Sequence, residues 1–424
     1  EVRPRDWSSD VCSSDLDLLL GWLARSGVDR VLAEKAAAAA VKAAGDQSGR
    51  LFEANKAFYS LLRYGASVQP GPGKNNVTVN LIDWDHPKLN DFAVAEEVTV
   101  EGNHTKRPDI VLYVNGIALG IIELKRSTVS VTEGIRQNLD NQRDLFIAPF
   151  FSTVQLVMAG NNVEGIVYGA IETKEKYFLR WKEVSEKANP DDKYLLKITG
   201  KIRLRAGKYE TPLERNIVEM LNKERFLEII HDFIVFDRGM KKICRPNQYF
   251  GVKAAQDFVR RGEGGIVWHT QGSGKSLTMV WLAKWVREHK HDARILIVTD
   301  RDELDEQIEK VFNGVDEVIY RTTSGRDLLE KLNETTPWLL CSLVHKFGGK
   351  EEGDVDSYLD EIGRSIPKDF RAKGEILVFV DECHRTQSGK LHKAMSGFLP
   401  EALFIGFTGT PLLRTDKQKS REVF

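Results

Sequence analysis

The sequence predicts an α/β protein in two parts, a mixed α/β domain followed by a domain built on a parallel sheet. Its 424 residues are enough for two or three domains at about 100–200 residues each. Up to about Asp237, helical segments and strand-like runs follow one another. Beyond it, short apolar runs alternate with amphipathic helices. Strands too apolar to have a solvated face are typical of a parallel sheet covered by helices on both sides.

The composition excludes several classes of protein. Hydrophobic residues make up 42% and charged residues 29%, which is ordinary for a globular protein and too apolar for a disordered one. No apolar run approaches the ~20 residues of a membrane span. The scattered cysteines lack metal-ligand spacing and favour a reducing, cytoplasmic location over a disulfide scaffold or a zinc site. The net charge of -1 neither indicates nor excludes a nucleic-acid partner.

The two ends of the sequence are unlike the rest. Residues 1–16, EVRPRDWSSDVCSSDL, show neither helical nor strand periodicity and lack the basic start and apolar stretch of a signal peptide. They are similar to translated sequencing adapter, and we interpret them as a non-native tail, the alternative being a genuine polar tail. At the other end, Phe424 follows a charged segment with no helix stop or closing strand, so we expect the sequence to end inside a longer protein.

The first predicted domain, residues 17–235, mixes helices and strands. Residues 17–65 are rich in helix formers and carry apolar residues at helical spacing. Ser130, three residues before a Glu, predicts the start of a helix that runs to about Phe146, and Leu213–Phe233 predicts another. Strand-like runs lie at Val77–Ile82, Phe92–Val100, Asp109–Val114, Ile117–Lys125, Thr153–Ala159 and Gly165–Ile171.

The second predicted domain, residues 236–424, alternates strands and helices. Amphipathic helices are predicted at Ser276–His289 and Glu303–Phe312, each after an apolar run. The carboxyl ends of parallel strands share one edge of a sheet, so polar residues that follow these runs should lie near one another. The apolar runs lie at Gly265–Trp268, Ala293–Val298, Trp338–Val344, Ile376–Val380 and Ala402–Phe407.

A phosphate-binding loop is predicted between the first of these strands and its helix. Glycines allow backbone N–H groups to approach the phosphates of ATP, and the helix N-terminus favours their negative charge. In this pattern Lys275 reaches the β- and γ-phosphates and Ser276 holds Mg²⁺, whereas His269 stands where the pattern begins with Gly. The loop residues are Gly272, Ser273, Gly274, Lys275 and Ser276.

Two further elements support an ATP-hydrolysing site. Asp381 and Glu382 follow a buried strand, where a carboxylate meets bound Mg²⁺. Asp381 would bind the metal, mostly through water, and Glu382 would orient the attacking water as general base. A Thr-Gly-Thr run, Thr408–Thr410, ends the next strand at the same edge. Cys383 is expected to pack rather than react.

The first domain carries a possible nuclease centre. Asp109 follows a Pro, and Glu123 and Lys125 follow in an E-x-K pattern. Two carboxylates can hold one or two Mg²⁺ ions against a scissile phosphate, and the lysine can stabilise or activate the attacking hydroxide. The spacing is common by chance, so the alternative is a salt bridge between Lys125 and Glu123 at a strand end.

The hairpin between these carboxylates decides whether they meet. Asn115-Gly116 is a hairpin signal, but a two-residue turn there would pair Asp109 with Ile122 and place the carboxylates on opposite faces. A three-residue loop, Val114–Gly116, pairs Asp109 with Ile121 and puts the carboxylates on one face, about 7–8 Å apart on the diagonal. The nuclease interpretation therefore predicts this loop or an equivalent bulge.

The motifs of the second domain resemble those of the first RecA-like motor domain of superfamily 2 helicases and translocases. The resemblance implies that Thr299 and Arg301 touch the DNA backbone and that Gln248 reads adenine. It also implies that Thr408 and Thr410 couple ATP hydrolysis to DNA movement.

The two domains in this order resemble the restriction (R) subunit of type I restriction-modification enzymes, over roughly residues 45–424. The first domain then has a restriction-endonuclease-like fold with Asp109, Glu123 and Lys125 as its nuclease residues. A Q-x-x-x-Y motif of that family is matched at Gln137, as possible support for the nuclease centre, but Asn141 stands at its Tyr position.

This resemblance implies a type I site-specific deoxyribonuclease that uses ATP and Mg²⁺. Such a subunit assembles with methyltransferase (M) and specificity (S) subunits, pulls double-stranded DNA past the complex, and cuts unmodified DNA. ATP in this superfamily lies between two RecA-like domains, and only the first is recognised here. We therefore expect the 424-residue chain by itself to bind ATP weakly and not to translocate.

Three other interpretations stay open. The chain could be a stand-alone superfamily 2 helicase or translocase whose front domain only binds DNA. It could be an inactive, truncated nucleotide- and DNA-binding fragment. A metabolic P-loop enzyme is disfavoured because Asp381–His384 and Thr408–Thr410 occur together.

Overall fold

The computed structural model describes residues 15–45, 49–183, 209–299, 302–343, 364, 366, 370–383 and 395–410. The chain divides into two compact units, Glu1–Pro246 and Asn247–Phe424, whereas the boundary expected from the sequence lies between residues 235 and 236. The segment between these positions stays with the first unit because Lys241 is buried there. Its ammonium group donates to Asn55 Oδ1 at 2.7 Å and to Gln155 Oε1 at 2.5 Å.

The first unit opens with three helices, as the sequence predicts: α1 (Leu16–Arg25), α2 (Arg30–Ala44) and α3 (Leu51–Tyr64). The Asp15 side chain caps α1 by accepting the Leu18 amide at 3.1 Å. The helix therefore begins inside the segment assigned to the tail, while residues 1–14 lie outside the described part of the chain. Two short strands, β1 (Ala66–Val68) and β2 (Val77–Val79), then pair antiparallel.

Within the described residues, a mixed six-stranded sheet forms the centre of the first unit, in the order β3-β4-β5-β6-β7-β8. The β5–β6 pair is parallel and the other pairs are antiparallel. Helix α4 (Val131–Asn141) makes the crossover between the two parallel strands. The strands are β3 (Phe92–Glu96), β4 (Ile110–Val114), β5 (Ile117–Leu124), β6 (Leu156–Asn161), β7 (Gly165–Gly169) and β8 (Leu179–Arg180).

The single helix predicted at Leu213–Phe233 is two helices, α5 (Pro212–Met220) and α6 (Lys223–Asp232). The break falls at Asn222, whose side chain accepts the Glu224 amide at 3.2 Å and so caps α6. An antiparallel hairpin, β9 (Ile234–Asp237) and β10 (Met240–Ile243), completes the described part of this unit.

The second unit contains the parallel sheet that the sequence predicts. Its strand order is β11-β16-β15-β12-β14-β13, and every described pair in it is parallel. The helices are α7 (Pro246–Arg260), α8 (Lys275–His289), α9 (Asp302–Gly314) and α10 (Gly325–Leu332). The strands are β11 (Gly265–Trp268), β12 (Ala293–Thr299), β13 (Tyr320–Arg321), β14 (Leu339–Leu343), β15 (Glu375–Asp381) and β16 (Leu403–Thr408).

The central strands of this sheet are buried along their length. All seven residues of β12 and all five of β14 are buried, as expected for strands covered on both faces. The order β11-β16-β15 places the ends of three sequence-distant strands side by side. Across the described residues of both units, no helix has the length and apolar character needed to cross a membrane.

Candidate active sites

A two-residue turn joins β4 to β5. Asn115 and Gly116 occupy it with φ of 51° and 80°, as the tight primed hairpin turns require. The Asn115 side chain is buried and bonds to the Leu81 carbonyl at 2.9 Å and the Asp91 amide at 2.8 Å. A Cβ on Gly116 would lie 2.5 Å from the Asp15 carbonyl oxygen. These contacts hold the turn short, so the predicted three-residue loop is wrong.

A β-bulge restores the geometry that the nuclease interpretation requires. Counting back along β4, the pairing with β5 shifts between Tyr113 and Leu112, and Leu119 is the extra residue. The pairing then continues in step to Ile110 opposite Ile122, and the same register places Asp109, the residue before β4, opposite Glu123. Directly opposed residues in an antiparallel pair have side chains on the same face. The equivalent bulge, rather than the longer loop, brings the two carboxylates together.

Polar side chains gather around this pair. Asp109 Oδ2 accepts the backbone amide of Leu124 at 2.7 Å. Lys125 Nζ lies 3.9 Å from Glu123 Oε2 and donates to Gln137 Oε1 at 2.6 Å. The Lys125–Glu123 distance is at the outer limit of an ion pair, and the short hydrogen bond of Lys125 goes to Gln137. The salt bridge of the alternative interpretation is thus present, and Lys125 also engages Gln137.

Glu123 is the buried centre of this cluster. Its side chain is fully buried, and Oε2 has no hydrogen-bond partner among the described residues. Burial, and next the Asp109 carboxylate, raise the pKa of Glu123 to about 8, against a smaller lowering by Lys125. Two facing carboxyl groups, one with a buried oxygen that accepts no hydrogen bond among the described residues, are a donor set that suits a hard divalent cation such as Mg²⁺. The residues present thus fit the metal expected from the sequence.

Helix α4 approaches this cluster closely because of Gly134. A Cβ on Gly134 would lie 2.9 Å from Ala159 Cβ and 3.5 Å from Glu123 Cβ. The approach brings Gln137 and Asn141 to the same place, and Asn141 Nδ2 lies 3.5 Å from Glu123 Oε1. From the sequence, Asn141 is only a departure from the family's Tyr. The helical spacing of Gly134, Gln137 and Asn141 is the signal that places them on one face.

A second cation, Lys106, faces the cluster from the segment before β4. Its charge lowers the pKa of Glu123, and its Nζ lies 4.0 Å from the centre of the Phe146 ring. No motif spacing connects Lys106 with the E-x-K pattern, so sequence reasoning misses it.

The loop predicted to bind phosphate lies between β11 and α8, the strand-to-helix position that the sequence predicts. Gly272 and Gly274 have φ of 76° and 88°, a backbone conformation that favours glycine. Helix α8 begins at Lys275, so its first backbone amides border the loop. The Gln248 amide donates to the Gly274 carbonyl at 2.9 Å. The glutamine predicted to read adenine thus contacts the backbone of the loop.

The acidic pair at the end of β15 faces the lysine of the loop. Lys275 Nζ lies 3.0 Å from Glu382 Oε1, and Glu382 Oε2 accepts the Gly409 amide at 3.4 Å. Asp381 Oδ1 accepts the amide of Glu382 at 3.0 Å. Because β16 lies between β11 and β15, residues from three separate motifs meet at one edge of the sheet.

The threonines implied in DNA coupling occupy two strand ends. Thr408 Oγ1 accepts the Thr410 amide at 3.1 Å. Thr299 ends β12 with its side chain buried and its Oγ1 unpartnered among the described residues. Ser276 lies in the first turn of α8 and is partly exposed. Arg301 and His384 lie outside the described residues.

His269 and Cys383, at the carboxyl edge of the parallel sheet, are explained by packing and burial. His269, which replaces the first Gly of the loop pattern, packs against Gly251 of α7, where a Cβ would lie 2.7 Å from His269 Nε2. Burial lowers the pKa of His269, so the ring is neutral near pH 7. The Cys383 thiol is buried and its pKa is raised to about 12 by burial and by the neighbouring carboxylates. It therefore packs as a neutral group, as expected.

Two segments of the chain match known families. Residues 20–176 match the family described as type I restriction enzyme R protein N terminus. Residues 247–424 match the SWI2/SNF2 ATPase family. The first segment contains the Asp109–Glu123 cluster, and the second contains the phosphate-binding loop and the acidic pair.

Curated relatives align with most of the chain. The type I restriction enzyme HindI endonuclease subunit of Haemophilus influenzae is 30% identical over 93% of this chain and 38% of its own length. A putative type I restriction enzyme MjaIXP endonuclease subunit of Methanocaldococcus jannaschii is 29% identical over 85% of this chain and 35% of its own length. The chain thus spans little more than a third of the curated relatives it matches.

Solved structures give a weaker likeness. The Sulfolobus solfataricus SWI2/SNF2 ATPase core in complex with dsDNA is 15% identical, with a TM-score of 0.32, and the match covers 44% of this chain and 36% of that chain. This similarity is too slight to add to the fold described above.

Proposed function

We propose that this chain, in which a segment matching the N terminus of type I restriction enzyme R proteins precedes one matching the SWI2/SNF2 ATPase family, acts as a restriction subunit. It hydrolyses ATP to move along double-stranded DNA and cleaves unmodified DNA in an Mg²⁺-dependent reaction. Its relatives named type I restriction enzyme endonuclease subunits support this assignment.

One observation carries the nuclease part of the proposal: Asp109 and Glu123 stand on one face of the hairpin, opposite each other. That placement depends on the bulge at Leu119, without which a two-residue turn would separate the carboxylates. A sheet that only bound DNA would not need a fully buried Glu123 against Asp109, because burial beside a second carboxyl group makes ionisation of Glu123 costly.

The residues of this cluster divide the work of phosphodiester hydrolysis. Asp109 and Glu123 would hold Mg²⁺, which when bound supplies charge stabilisation to the scissile phosphate and lowers the pKa of water. Lys125, fixed by Gln137, places a positive charge where hydroxide would attack. Lys106 adds a second positive charge that would attract the phosphate backbone.

The second unit would hydrolyse the ATP that drives DNA translocation. In the proposed ATP complex, Lys275 leaves Glu382 for the β- and γ-phosphates, and Ser276 and Asp381 hold the accompanying Mg²⁺. Glu382, freed from Lys275, orients water as general base. The Gly409 amide, which touches Glu382, links this change to Thr408 and Thr410. The remaining loop contacts come from Gln248, Gly272, Ser273 and Gly274.

The partners follow from the same assignment. Recognition of the DNA sequence and of its methyl mark would belong to M and S subunits. This chain would then contact mainly phosphates, in part through Thr299 and Arg301, with an affinity that falls steeply as salt is raised.

The proposal is tested with the complex assembled from this chain's full-length protein and its M and S subunits. Glu123→Ala is expected to abolish cleavage of unmodified plasmid while leaving DNA-stimulated ATP hydrolysis intact, and Lys275→Ala should abolish both. Glu133→Ala, at an exposed position of α4, is the matched control and should change neither. Unchanged cleavage by the Glu123→Ala complex would instead support a helicase whose front domain only binds DNA.

A further inference from the structure

Asn141, the last residue of α4, is buried beside Glu123. Its side chain is 1% exposed, and its Oδ1 has no hydrogen-bond partner among the described residues. Its Nδ2 makes a long contact to Glu123 Oε1, at 3.5 Å. A buried amide oxygen without a partner is destabilising, so the position requires an explanation.

Glu123 and Asn141 each carry a buried oxygen without a hydrogen-bond partner in the described structure, Oε2 and Oδ1, and their side chains touch. The only charged neighbour of Glu123 Oε2 among the described ion pairs is Lys125 Nζ, at 3.9 Å. Asp109 lies opposite Glu123 across the hairpin. Carboxylate and amide oxygens are the ligands that hard divalent cations take. Asn141 Nδ2 and Glu123 Oε1 lie 3.5 Å apart, little more than the ~3 Å between neighbouring oxygens around Mg²⁺.

Asn138, one turn earlier on α4, shows what a structural asparagine looks like here. It is also fully buried, and its Oδ1 likewise lacks a hydrogen-bond partner among the described residues, but its amide nitrogen donates to the Met158 carbonyl at 2.8 Å. That bond fixes the orientation of Asn138 on β6. The longer contact of Asn141 leaves its amide free to rotate by half a turn, because amide nitrogen and oxygen exchange places at little steric cost.

We propose that Asn141 is a ligand of the divalent cation in the nuclease centre, with Oδ1 turned toward the same ion as the carboxylates of Asp109 and Glu123. The inference rests on the proposed nuclease function of this cluster. The asparagine would thus replace the family's Tyr with a neutral metal ligand, adding an oxygen donor without adding charge to a site that already holds two acids.

A purely orienting role makes an opposite prediction for one substitution. If Asn141 only donates its N–H to Glu123, Asn141→Asp removes the donor, places a third carboxyl group in the site and weakens cation binding. If Asn141 Oδ1 is a ligand, Asn141→Asp keeps the oxygen, adds charge and strengthens binding. The sign of the change therefore separates the two roles.

The test is Mn²⁺ binding to the full chain without nucleotide, followed by the electron paramagnetic resonance signal of free Mn²⁺. The Mn²⁺ binding that is lost in Glu123→Gln is assigned to the nuclease centre. We expect Asn141→Leu to weaken that binding about tenfold, Asn141→Ala to do the same, and Asn141→Asp to tighten it. Asn138→Leu, the matched control, should leave it unchanged.

Each outcome has one meaning. Wild-type affinity in Asn141→Leu and Asn141→Ala, or weakened binding in Asn141→Asp, would overturn the ligand role while leaving the nuclease centre in place. Absence of any Mn²⁺ binding that depends on Glu123 would overturn the nuclease centre itself, and the ligand role with it. Thermal unfolding of each variant shows whether a loss of Mn²⁺ binding comes from misfolding. If Asn141→Leu and Asn141→Ala misfold, the affinity of the conservative Asn141→Asp variant distinguishes the two roles.

Discussion

Lys275 and Glu382 form an ion pair across the edge of the parallel sheet, with Nζ 3.0 Å from Oε1 and both side chains mostly buried. Each is predicted to act on ATP, the lysine on its phosphates and the glutamate on the attacking water. In the structure they are engaged with each other. We therefore expect ATP binding to break this pair before either residue performs its proposed role.

Replacing Glu382 by Gln should separate binding from hydrolysis. The variant lacks the competitor for Lys275, so we expect its affinity for Mg-ATP to be equal to that of the wild type or up to about fivefold tighter, the value of a modest ion pair. Hydrolysis should fall by at least about a hundredfold because the general base is lost. Titration with a fluorescent ATP analogue and a phosphate-release assay measure the two effects.

Glu375→Gln is the control for this experiment. Glu375 lies on the same strand, β15, and is also paired with a lysine, Lys290, but at the strand's opposite end. It should change neither affinity nor hydrolysis. A tenfold weaker affinity in Glu382→Gln would mean that the carboxylate helps to hold nucleotide and that the ion pair is not a competitor.

The buried Glu123 should make the metal-free chain less stable at alkaline pH. Its folded pKa of about 8 lies above its ordinary value of 4.5, so the folded state holds the proton more tightly. The contribution is fully present below pH 4.5 and is lost as the pH rises through 8, at up to about 1.4 kcal/mol per pH unit. Calorimetric unfolding in EDTA at pH 6 and pH 8.5 measures the difference.

Glu123→Gln cannot titrate and should remove this part of the pH dependence. Added Mn²⁺ should restore stability at pH 8.5 in the wild type alone, because the cation replaces the proton between the two carboxyl groups. An identical pH dependence in the wild type and Glu123→Gln would show that Glu123 is ionised at neutral pH in the folded chain.

The pairing of Asp109 with Glu123 shows how far the sequence could specify the site. Residue types and alternation identify the carboxylates, and the Asn-Gly signal correctly locates the hairpin. The bulge at Leu119 could be stated only as a condition. Its position depends on tertiary contacts of the turn, since Asn115 bonds to Leu81 and Asp91 in other segments, and no local pattern contains that information.

The helices show the same division between local and tertiary signals. The parallel sheet and the phosphate-binding loop follow from local runs and spacing. The break at Asn222 has a local signal, an asparagine before Lys-Glu, that a continuous apolar pattern conceals. Burial of Lys241 within the first unit has no such signal, because its partners Asn55 and Gln155 are remote in sequence.

Gly134→Ala should loosen the approach of α4 to the nuclease cluster. The new Cβ would lie 2.9 Å from Ala159 Cβ, a contact that must be relieved by moving the helix. We expect a loss of about 1–3 kcal/mol, partly offset by the better helix propensity of alanine. Hydrogen exchange of α4 peptides in the full chain measures the local opening free energy.

The double variant Gly134→Ala/Ala159→Gly tests whether contact with the Ala159 methyl group causes the loss of stability in Gly134→Ala. It removes the opposing methyl group and should recover most of the lost protection, giving a coupling energy of about 1 kcal/mol or more. Gly21→Ala in α1 is the control, since the nearest atom to its Cβ is the end of the Arg25 side chain at 3.5 Å, and it should be neutral or stabilising. Equal protection in Gly134→Ala and the wild type would show that the helix does not depend on this close approach.

Arg294 holds together the end of the parallel sheet that lies away from the nucleotide site. It stands near the start of β12, is almost fully buried, and its guanidinium donates to backbone carbonyls at the end of α10 and in the two segments beside it. Carbonyls at a helix C-terminus lack partners within the helix, and the planar fork of an arginine can satisfy several at once. The accepting residues are Lys331, Leu332, Glu334, Pro337 and Lys373.

Replacing Arg294 by Met should therefore cost about 3–5 kcal/mol, because several buried carbonyls lose their donor together. Arg294→Lys keeps the charge but reaches fewer carbonyls, so it should recover less than half of the loss. Arg326→Ala on the exposed face of α10, where Arg326 pairs only with Glu330 among the described residues, should stay within about 0.5 kcal/mol of the wild type. Hydrogen exchange of β12 and α10 peptides reports the change, and equal protection in Arg294→Met and Arg326→Ala would show that water satisfies these carbonyls as well as the arginine does.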